Sequence, residues 1–512
     1  MPKRNIYFTP NFYTMKLFFF LFFIFPLHSI GQDAIIHFDI KNATSEKIEF
    51  SLWDDYLNPK VLFGETYIYV PIKNGKTDWN YSLVNPTRVT FFYNSEQLES
   101  EYSYSFFLSP GDELYFSIDE QNIAAAPIIS GRGSENNQPL IQSLHESFIN
   151  ELIATNRNDT LPNNVFQLIS DKSKHNQFVL NAYIDQFHPS NEFIENERIY
   201  NQYFTLINYE YFKENNKYEI IEQYTRNLDK WKSITDSLFE LTPLNQDKYL
   251  NTPGYAAFLS NLVGRMKENV WSSPNLQQNY FASEKEMQEF LLDPENLLKE
   301  KIINRHFTGK TAEFLYADLF TIHNNFKDDN LPEIFERFKL RYPNSTYIPY
   351  IEPMVNLMLD KRKNELSAKT ILISNLDSIQ SFNEVLELVK GKTVLLDMWG
   401  TWCGACRREL ANHTEDIKEY YKNKPLDYLY IANNDESNEE KWRELIPYYK
   451  LTGTHILANQ QLSKDIMSKV NSSGYPTYII IKKDGTFELY DRSKGLELDT
   501  LFKQIDQILN EE

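Results

Sequence analysis

Val394-Leu395-Leu396-Asp397-Met398-Trp399-Gly400-Thr401-Trp402-Cys403-Gly404-Ala405-Cys406 is the stretch on which the reading of this chain turns. Val394–Met398 is apolar and of strand length apart from Asp397, Gly400 breaks the run, and a helical pattern continues from the cysteines to about Tyr421. A cysteine in the first turn of a helix points its sulfur at unpaired backbone N–H groups and at the positive end of the helix dipole. That favours thiolate over thiol and lowers the pKa by one to several units from ~8.5. Cys403 takes this place and Cys406 lies one turn inside the same helix, so the two sulfurs can bond and the outer one is the natural nucleophile. Arg407 and Arg408 add some positive field, but a solvated helix face is the expected place of both.

Outward from this stretch, strands and helices alternate. A strand is expected at Tyr428–Ala432, a helix from Glu439 to Tyr448, a short strand near Thr454–Leu457 and a helix over Leu462–Val470. Tyr478–Ile481 and Phe487–Tyr490 read as a hairpin across Asp484-Gly485. A last helix buries Leu498, Leu501, Phe502, Ile505 and Leu509 on one face. Parallel strands with crossover helices, closed by an antiparallel hairpin and a helix, make a three-layer α/β domain over residues 371–512.

The chain holds 512 residues and only two cysteines, Cys403 and Cys406. A structural staple is a weak reading, because so short a loop removes only ~2 kcal/mol of chain entropy. A zinc site would need further ligands, and the sequence has neither a second CxxC nor a spaced His pair, so no metal is expected. With 52 basic against 71 acidic residues the net charge is −19, which argues against nucleic acid as a partner. Lys16 followed by the apolar run Leu17–Leu27 and the small residues Ser29 and Gly31 reads as a secretory signal over residues 1–31. The run is too short for a bilayer core, which takes ~20 apolar residues. The segment before Met15 is either an upstream mis-start or an extended basic region. Neither cysteine lies near the signal, so a lipid-modified N-terminal cysteine is excluded and an exported, non-lipoprotein chain is expected.

Two more domains are expected upstream. Ile36, Phe38 and Ile40, then Ile48, Phe50 and Leu52, alternate with polar residues, and Asn74-Gly75 and Pro110-Gly111-Asp112 are turn signals, the second joining Tyr104–Leu108 to Glu113–Ile118. These describe an all-β, sandwich-like antiparallel domain over residues 32–133, closed by a linker at Gly131–Asn137. From Pro139 the period becomes helical, with Leu140, Leu144, Phe148 and Leu152 on one face, and helices punctuated by Pro162, Pro243, Pro294, Pro343 and Pro353 continue to about Lys363. This α-helical domain, residues 134–365, carries no phosphate loop, nucleophile elbow or metal-spaced pair.

The Leu395–Cys406 segment resembles the active-site segment of thioredoxins, and Gly474-Tyr475-Pro476-Thr477 resembles the cis-proline loop of that family. The export signal and the long stretch between the motifs are similar to the TlpA/ResA-like envelope branch, some of whose members carry upstream domains. The resemblance implies a C-terminal α/β thioredoxin fold and thiol–disulfide exchange, with Cys403 as attacking thiolate and Cys406 as resolving thiol. Asp397 resembles the buried carboxylate beneath the disulfide; in an apolar strand its pKa must rise, which suits a general base for Cys406. Trp402 at the rim, Pro476 in cis and the Tyr475 backbone are the implied substrate-binding groups. Trp399 is as well explained by core packing. Glu409 resembles an acidic residue of cytochrome c maturation thioredoxins, although an exposed helix position is the expected one. Ala405 stands where many thioredoxins have Pro, and Tyr475 is bulkier than the usual residue there.

No cofactor beyond the redox-active Cys403–Cys406 disulfide is implied. The implied partners are disulfide-bearing envelope proteins as substrates and a membrane electron donor for recycling, in the periplasm. A dithiol oxidase and a non-enzymatic envelope binding module with a thioredoxin scaffold stay open. A thiol peroxidase is disfavoured, since Gly400 stands where its Thr would be.

Overall fold

In the computed structural model, residues 32–511 are described apart from 53–54, 56, 84, 95–100, 123–124, 142–147, 149, 151, 154–160, 217–220, 253, 322–329, 377 and 492–495. The expected signal over residues 1–31 therefore lies outside the described residues. The chain falls into a sheet-rich N-terminal region, a helical middle region and a C-terminal thioredoxin-like fold.

The N-terminal region contains β1 (Gln32–Lys41), β2 (Lys47–Ser51), the short α1 (Pro59–Leu62), β3 (Tyr67–Pro71), β4 (Lys76–Leu83), β5 (Thr87–Asn94), β6 (Glu101–Leu108), β7 (Glu113–Asp119) and β8 (Ile128–Arg132). Two four-stranded sheets, in the orders β4-β1-β7-β8 and β3-β2-β5-β6, enclose an aromatic core of Phe38, Phe50, Trp79, Phe91 and Phe116. Two expectations are corrected here. The turn at Pro110-Gly111-Asp112 joins β6 to β7 as expected, but the domain is not wholly antiparallel: β6 pairs with β5 in one sheet and β7 with β1 in the other. The chain crosses between the sheets there, so β7 runs parallel to β1 in an otherwise antiparallel arrangement. Gly131 and Arg132 belong to β8, paired with Leu114 and Glu113, and the linker starts only after them.

In the middle region lie α2 (Pro162–Phe187), α3 (Asn191–Asn216), α4 (Ile221–Arg226), α5 (Leu228–Leu241), α6 (Tyr255–Ser272), α7 (Pro274–Tyr280), α8 (Glu284–Leu292), α9 (Lys299–His306), α10 (Gly309–Asp318), α11 (Leu331–Arg341) and α12 (Ile348–Lys361). Pro162, Pro274 and Pro332 sit in first turns, where their missing N–H costs nothing. Of the expected Leu140–Leu152 stripe, Leu144 lies outside the described residues, Leu140 is exposed within a short 3₁₀ turn, and Leu152 is buried in the helical core. Sheet and helix regions are joined by buried polar contacts. The Arg88 guanidinium on β5 meets the Glu197 carboxylate on α3 at 2.5 Å, and both side chains are buried.

The C-terminal fold comprises β9 (Thr370–Ile373), α13 (Phe382–Leu388), β10 (Thr393–Trp399), α14 (Gly404–Tyr421), β11 (Leu426–Ala432), α15 (Glu439–Tyr448), β12 (Gly453–Leu457), α16 (Gln460–Lys469), β13 (Thr477–Ile481), β14 (Phe487–Leu489) and α17 (Leu498–Glu511). Its six strands run in the order β14-β13-β10-β11-β12-β9; β9 to β12 are mutually parallel, and β13 and β14 close the other edge antiparallel. Every residue of β10 is buried, as a central strand covered on both faces requires. Its side chains alternate: Val394, Leu396 and Met398 enter the core shared with α13 and α16, while Leu395 and Trp399 face the side of α14. Residues 362–369 connect α12 to β9, and the Asn364 amide donates to the Pro447 carbonyl at 3.3 Å.

Candidate active site

β10 ends at Trp399, and the next four residues turn the chain into α14. Cys403 is the N-cap of that helix, in extended conformation, and its Sγ accepts the Cys406 N–H at 3.1 Å. The sulfur thus occupies the place a Ser or Asp cap oxygen fills elsewhere, against the free N–H groups of the first turn. Cys403 and Cys406 are joined as a disulfide, with Cα atoms 5.3 Å apart. Cys403 retains 6% of its surface and Cys406 1%, so the outer sulfur is the one a partner reaches.

The turn is bolted to the segment after β11. Thr401 donates its N–H and its hydroxyl to the two Asp435 carboxylate oxygens at 2.8 and 2.5 Å, and the Asn438 amide donates to the Thr401 hydroxyl at 3.0 Å. Trp402 Nε1 donates to the Asn433 carbonyl at 2.9 Å, while Asn433 donates its N–H and its amide to the Trp399 carbonyl. Burial raises the Asp435 pKa, and the two Thr401 bonds oppose that rise. Sequence reading missed Asn433 and Asp435. Their position just past the carboxyl end of a central strand was the available signal.

Trp402 is 44% exposed, and its ring meets Tyr475 edge-on with centroids 5.8 Å apart. Tyr475 packs against core clusters on both faces of the sheet, and burial raises its pKa. The Tyr475–Pro476 bond is cis. Thr477 donates its hydroxyl to the Gly474 carbonyl at 2.6 Å, which fixes this loop beside the disulfide helix. Trp399 is fully buried in the core that also holds both cysteines.

Asp397 is 4% exposed, opposite Tyr430 of β11 and Tyr478 of β13. It opens into a cavity of about 20 Å³, walled also by Glu409, Leu410, Thr414, Tyr428, Tyr430 and Tyr478, which is room for about one water. Glu409 is not the exposed helix residue expected from sequence. It is half-buried, borders this cavity and accepts the Tyr478 hydroxyl at 3.0 Å. Arg407 likewise departs from a solvated position. It is 2% exposed and donates from Nε to the Tyr449 hydroxyl at 3.1 Å, because its place on α14 faces the packed end of α15 rather than solvent. Among the described residues no cluster of His, Cys, Asp or Glu could hold a metal ion.

A dithiol pair capping a helix, at the carboxyl end of the central strand of a sheet closed by an antiparallel hairpin, defines a thioredoxin-fold domain. Residues 377–493 match the Redoxin family. Over this region the chain is similar to thioredoxin-superfamily proteins of the TlpA/ResA-like kind. Thioredoxin-like protein YneN of Bacillus subtilis is 27% identical over 114 residues, 22% of this chain and 64% of that protein. Thiol-disulfide oxidoreductase ResA of Geobacillus kaustophilus is 28% identical over 97 residues, 19% of this chain and 52% of that protein. The chain thus spans about two thirds or less of the length of these relatives. The solution structure of a thiol:disulfide interchange protein from Bacteroides sp. aligns at 23% identity over 24% of this chain and 78% of that one, with a TM-score of 0.21.

Proposed function

We propose that the C-terminal domain is a thiol–disulfide oxidoreductase that reduces disulfides of envelope proteins. The observation that carries this reading is the Cys403–Cys406 pair at the mouth of α14, its outer sulfur held by a backbone N–H and flanked by Trp402 and Tyr475. In the reduced enzyme, Cys403 thiolate attacks one sulfur of a substrate disulfide. The S–S bond breaks, a substrate thiolate leaves and takes a proton, and a mixed disulfide remains. Cys406 passes its proton to the Asp397 carboxylate and attacks Cys403 Sγ. The second substrate thiol departs, and the enzyme is left as the disulfide. Two electrons have moved to the substrate, and an electron donor at the membrane returns them. The substrate strand lies against Trp402 and pairs with the backbone at Tyr475 beside Pro476.

The chemistry needs no bound group other than the disulfide itself. An envelope location rests on the apolar run Leu17–Leu27 with its basic start. No described helix is long and apolar enough to cross a membrane.

Insulin reduction by the purified protein in the presence of dithiothreitol tests the activity. Turbidity should develop well ahead of the uncatalysed control with the wild type and at the control rate with Cys403→Ser. A wild type no faster than the control would end the enzymatic reading and leave a scaffold. Direction is read from the reduction potential of the pair: about −270 mV marks a reductant and about −120 mV an oxidase.

A further inference from the structure

Beneath the disulfide helix the sheet carries a row of polar side chains in register. Tyr478 of β13, Asp397 of β10, Tyr430 of β11 and His455 of β12 stand opposite one another across three adjacent strand pairs. Lys418 of α14 lays its ammonium over the rings of Tyr428 and Tyr430, 5.1 and 5.4 Å from their centres. Those two rings are walls of the same cavity into which Asp397 opens, and Thr414, one turn before Lys418, is another.

From its other side the ammonium is tied to the turn after α15. It donates to the Lys450 and Thr452 carbonyls at 3.3 and 2.9 Å and to the Thr452 hydroxyl at 2.8 Å. The same turn holds the row's far end: His455 Nε2 donates to the Leu451 carbonyl at 3.0 Å, and the imidazole stacks on Tyr430 with centroids 4.8 Å apart. His455 Nδ1 finds no hydrogen-bond partner among the described residues, and burial pushes this histidine down to about 3, so it adds no charge near neutrality. The remaining titratable groups around Lys418 are assigned elsewhere. Glu415 on the same helix pairs with Lys450 at 2.5 Å, and Glu409 accepts from Tyr478.

We propose that Lys418 is a positioning residue for Asp397, its ammonium acting across the Tyr428–Tyr430 wall to favour the ionised carboxyl that receives the Cys406 proton. This rests on the exchange mechanism proposed above and extends it to a residue that touches neither sulfur. Burial pushes the Lys418 ammonium itself down to about 7, so its support of Asp397 is withdrawn as pH rises through neutrality. At an effective dielectric of ~20, a unit charge ~10 Å away moves a neighbour's midpoint by about one pH unit.

The test is a pH titration of the Asp397 carboxyl by ¹³C NMR, its signal assigned by loss in Asp397→Asn, on the full chain in its disulfide form. Lys418→Met and Lys418→Gln should raise the Asp397 midpoint by about one unit, while Lys418→Arg should keep the wild-type value. In the wild type the Asp397 signal should show a second inflection near pH 7, absent from the Met and Gln proteins. Gln keeps a donor for the Thr452 carbonyl, so it decides if the Met variant fails to fold, and the wild-type inflection decides if neither folds. An Asp397 midpoint unmoved in the neutral variants, or a wild-type curve with one inflection, overturns the proposal. Because this measurement needs no turnover, it separates the coupling from the activity. A coupled titration in a protein that reduces no insulin would defeat the exchange reading alone.

Discussion

His455 is held in the fold as a neutral ring, one nitrogen bonded to a carbonyl and its face covered by Tyr430. Its pKa stands at about 3 when folded, against ~6.5 in an unfolded chain. Below pH 6.5 the unfolded state therefore binds a proton that the folded state refuses, and folding stability falls as pH drops toward 3. Between pH 6.5 and 4.5 this single group should account for about 2–3 kcal/mol of lost stability. Replacing it with Phe keeps a ring against Tyr430 and removes the titration. Denaturant unfolding at pH 7 and pH 4.5 should then show a smaller acid loss in His455→Phe than in the wild type, by about that amount. Equal losses in the two proteins would show that the ring is protonated at little cost in the fold.

At the scale of elements, β10 both carries Asp397 and forms the middle of the sheet. Leu396 is fully buried in the core shared with α13 and α16. Truncation to Ala removes its packing and leaves a cavity, and should cost about 2–5 kcal/mol, read as a lower urea midpoint at unchanged slope. The strand was legible because apolar residues run without a break around a lone carboxylate. The cysteines, Asp397 and the Tyr475-Pro476 loop were found together because each carries a local pattern. Strand β9 was not, being four residues long and half-exposed at the sheet edge. Helix α13 was missed although its start is written in Ser381-Phe382-Asn383-Glu384: the Ser381 hydroxyl accepts the Glu384 N–H at 3.4 Å, and Glu384 accepts the Gln380 N–H at 2.7 Å. Lys418 and His455 had no such mark. They are brought to Tyr430, the residue opposite Asp397, only by strand register and by one face of α14, neither of which a spacing reveals.

Across the whole molecule, the sheet-rich and helical regions share a buried charge pair, Arg88 with Glu197. Removing one partner leaves the other buried without this counter-charge, a loss of about 3–5 kcal/mol, whereas removing both costs far less. Arg88→Met should therefore unfold at markedly lower denaturant than the wild type, and Arg88→Met combined with Glu197→Leu should recover much of the difference. A double variant as weak as the single one would mean that loss of the pair itself, and not the carboxylate left without Arg88, sets the cost.

The connection between helices and redox domain, residues 362–369, has a kinetic consequence. Fully extended, it reaches at most ~3.6 Å per residue, under about 30 Å in all. Even with the Asn364–Pro447 contact broken, the start of β9 stays within that radius of the end of α12, and the disulfide within that radius plus the width of its domain. A polypeptide captured on the upstream surfaces within this reach would meet Cys403 at an effective molarity in the millimolar range. Encounter would then no longer depend on how dilute that polypeptide is in the surrounding fluid, and turnover of a captured chain would follow first-order kinetics.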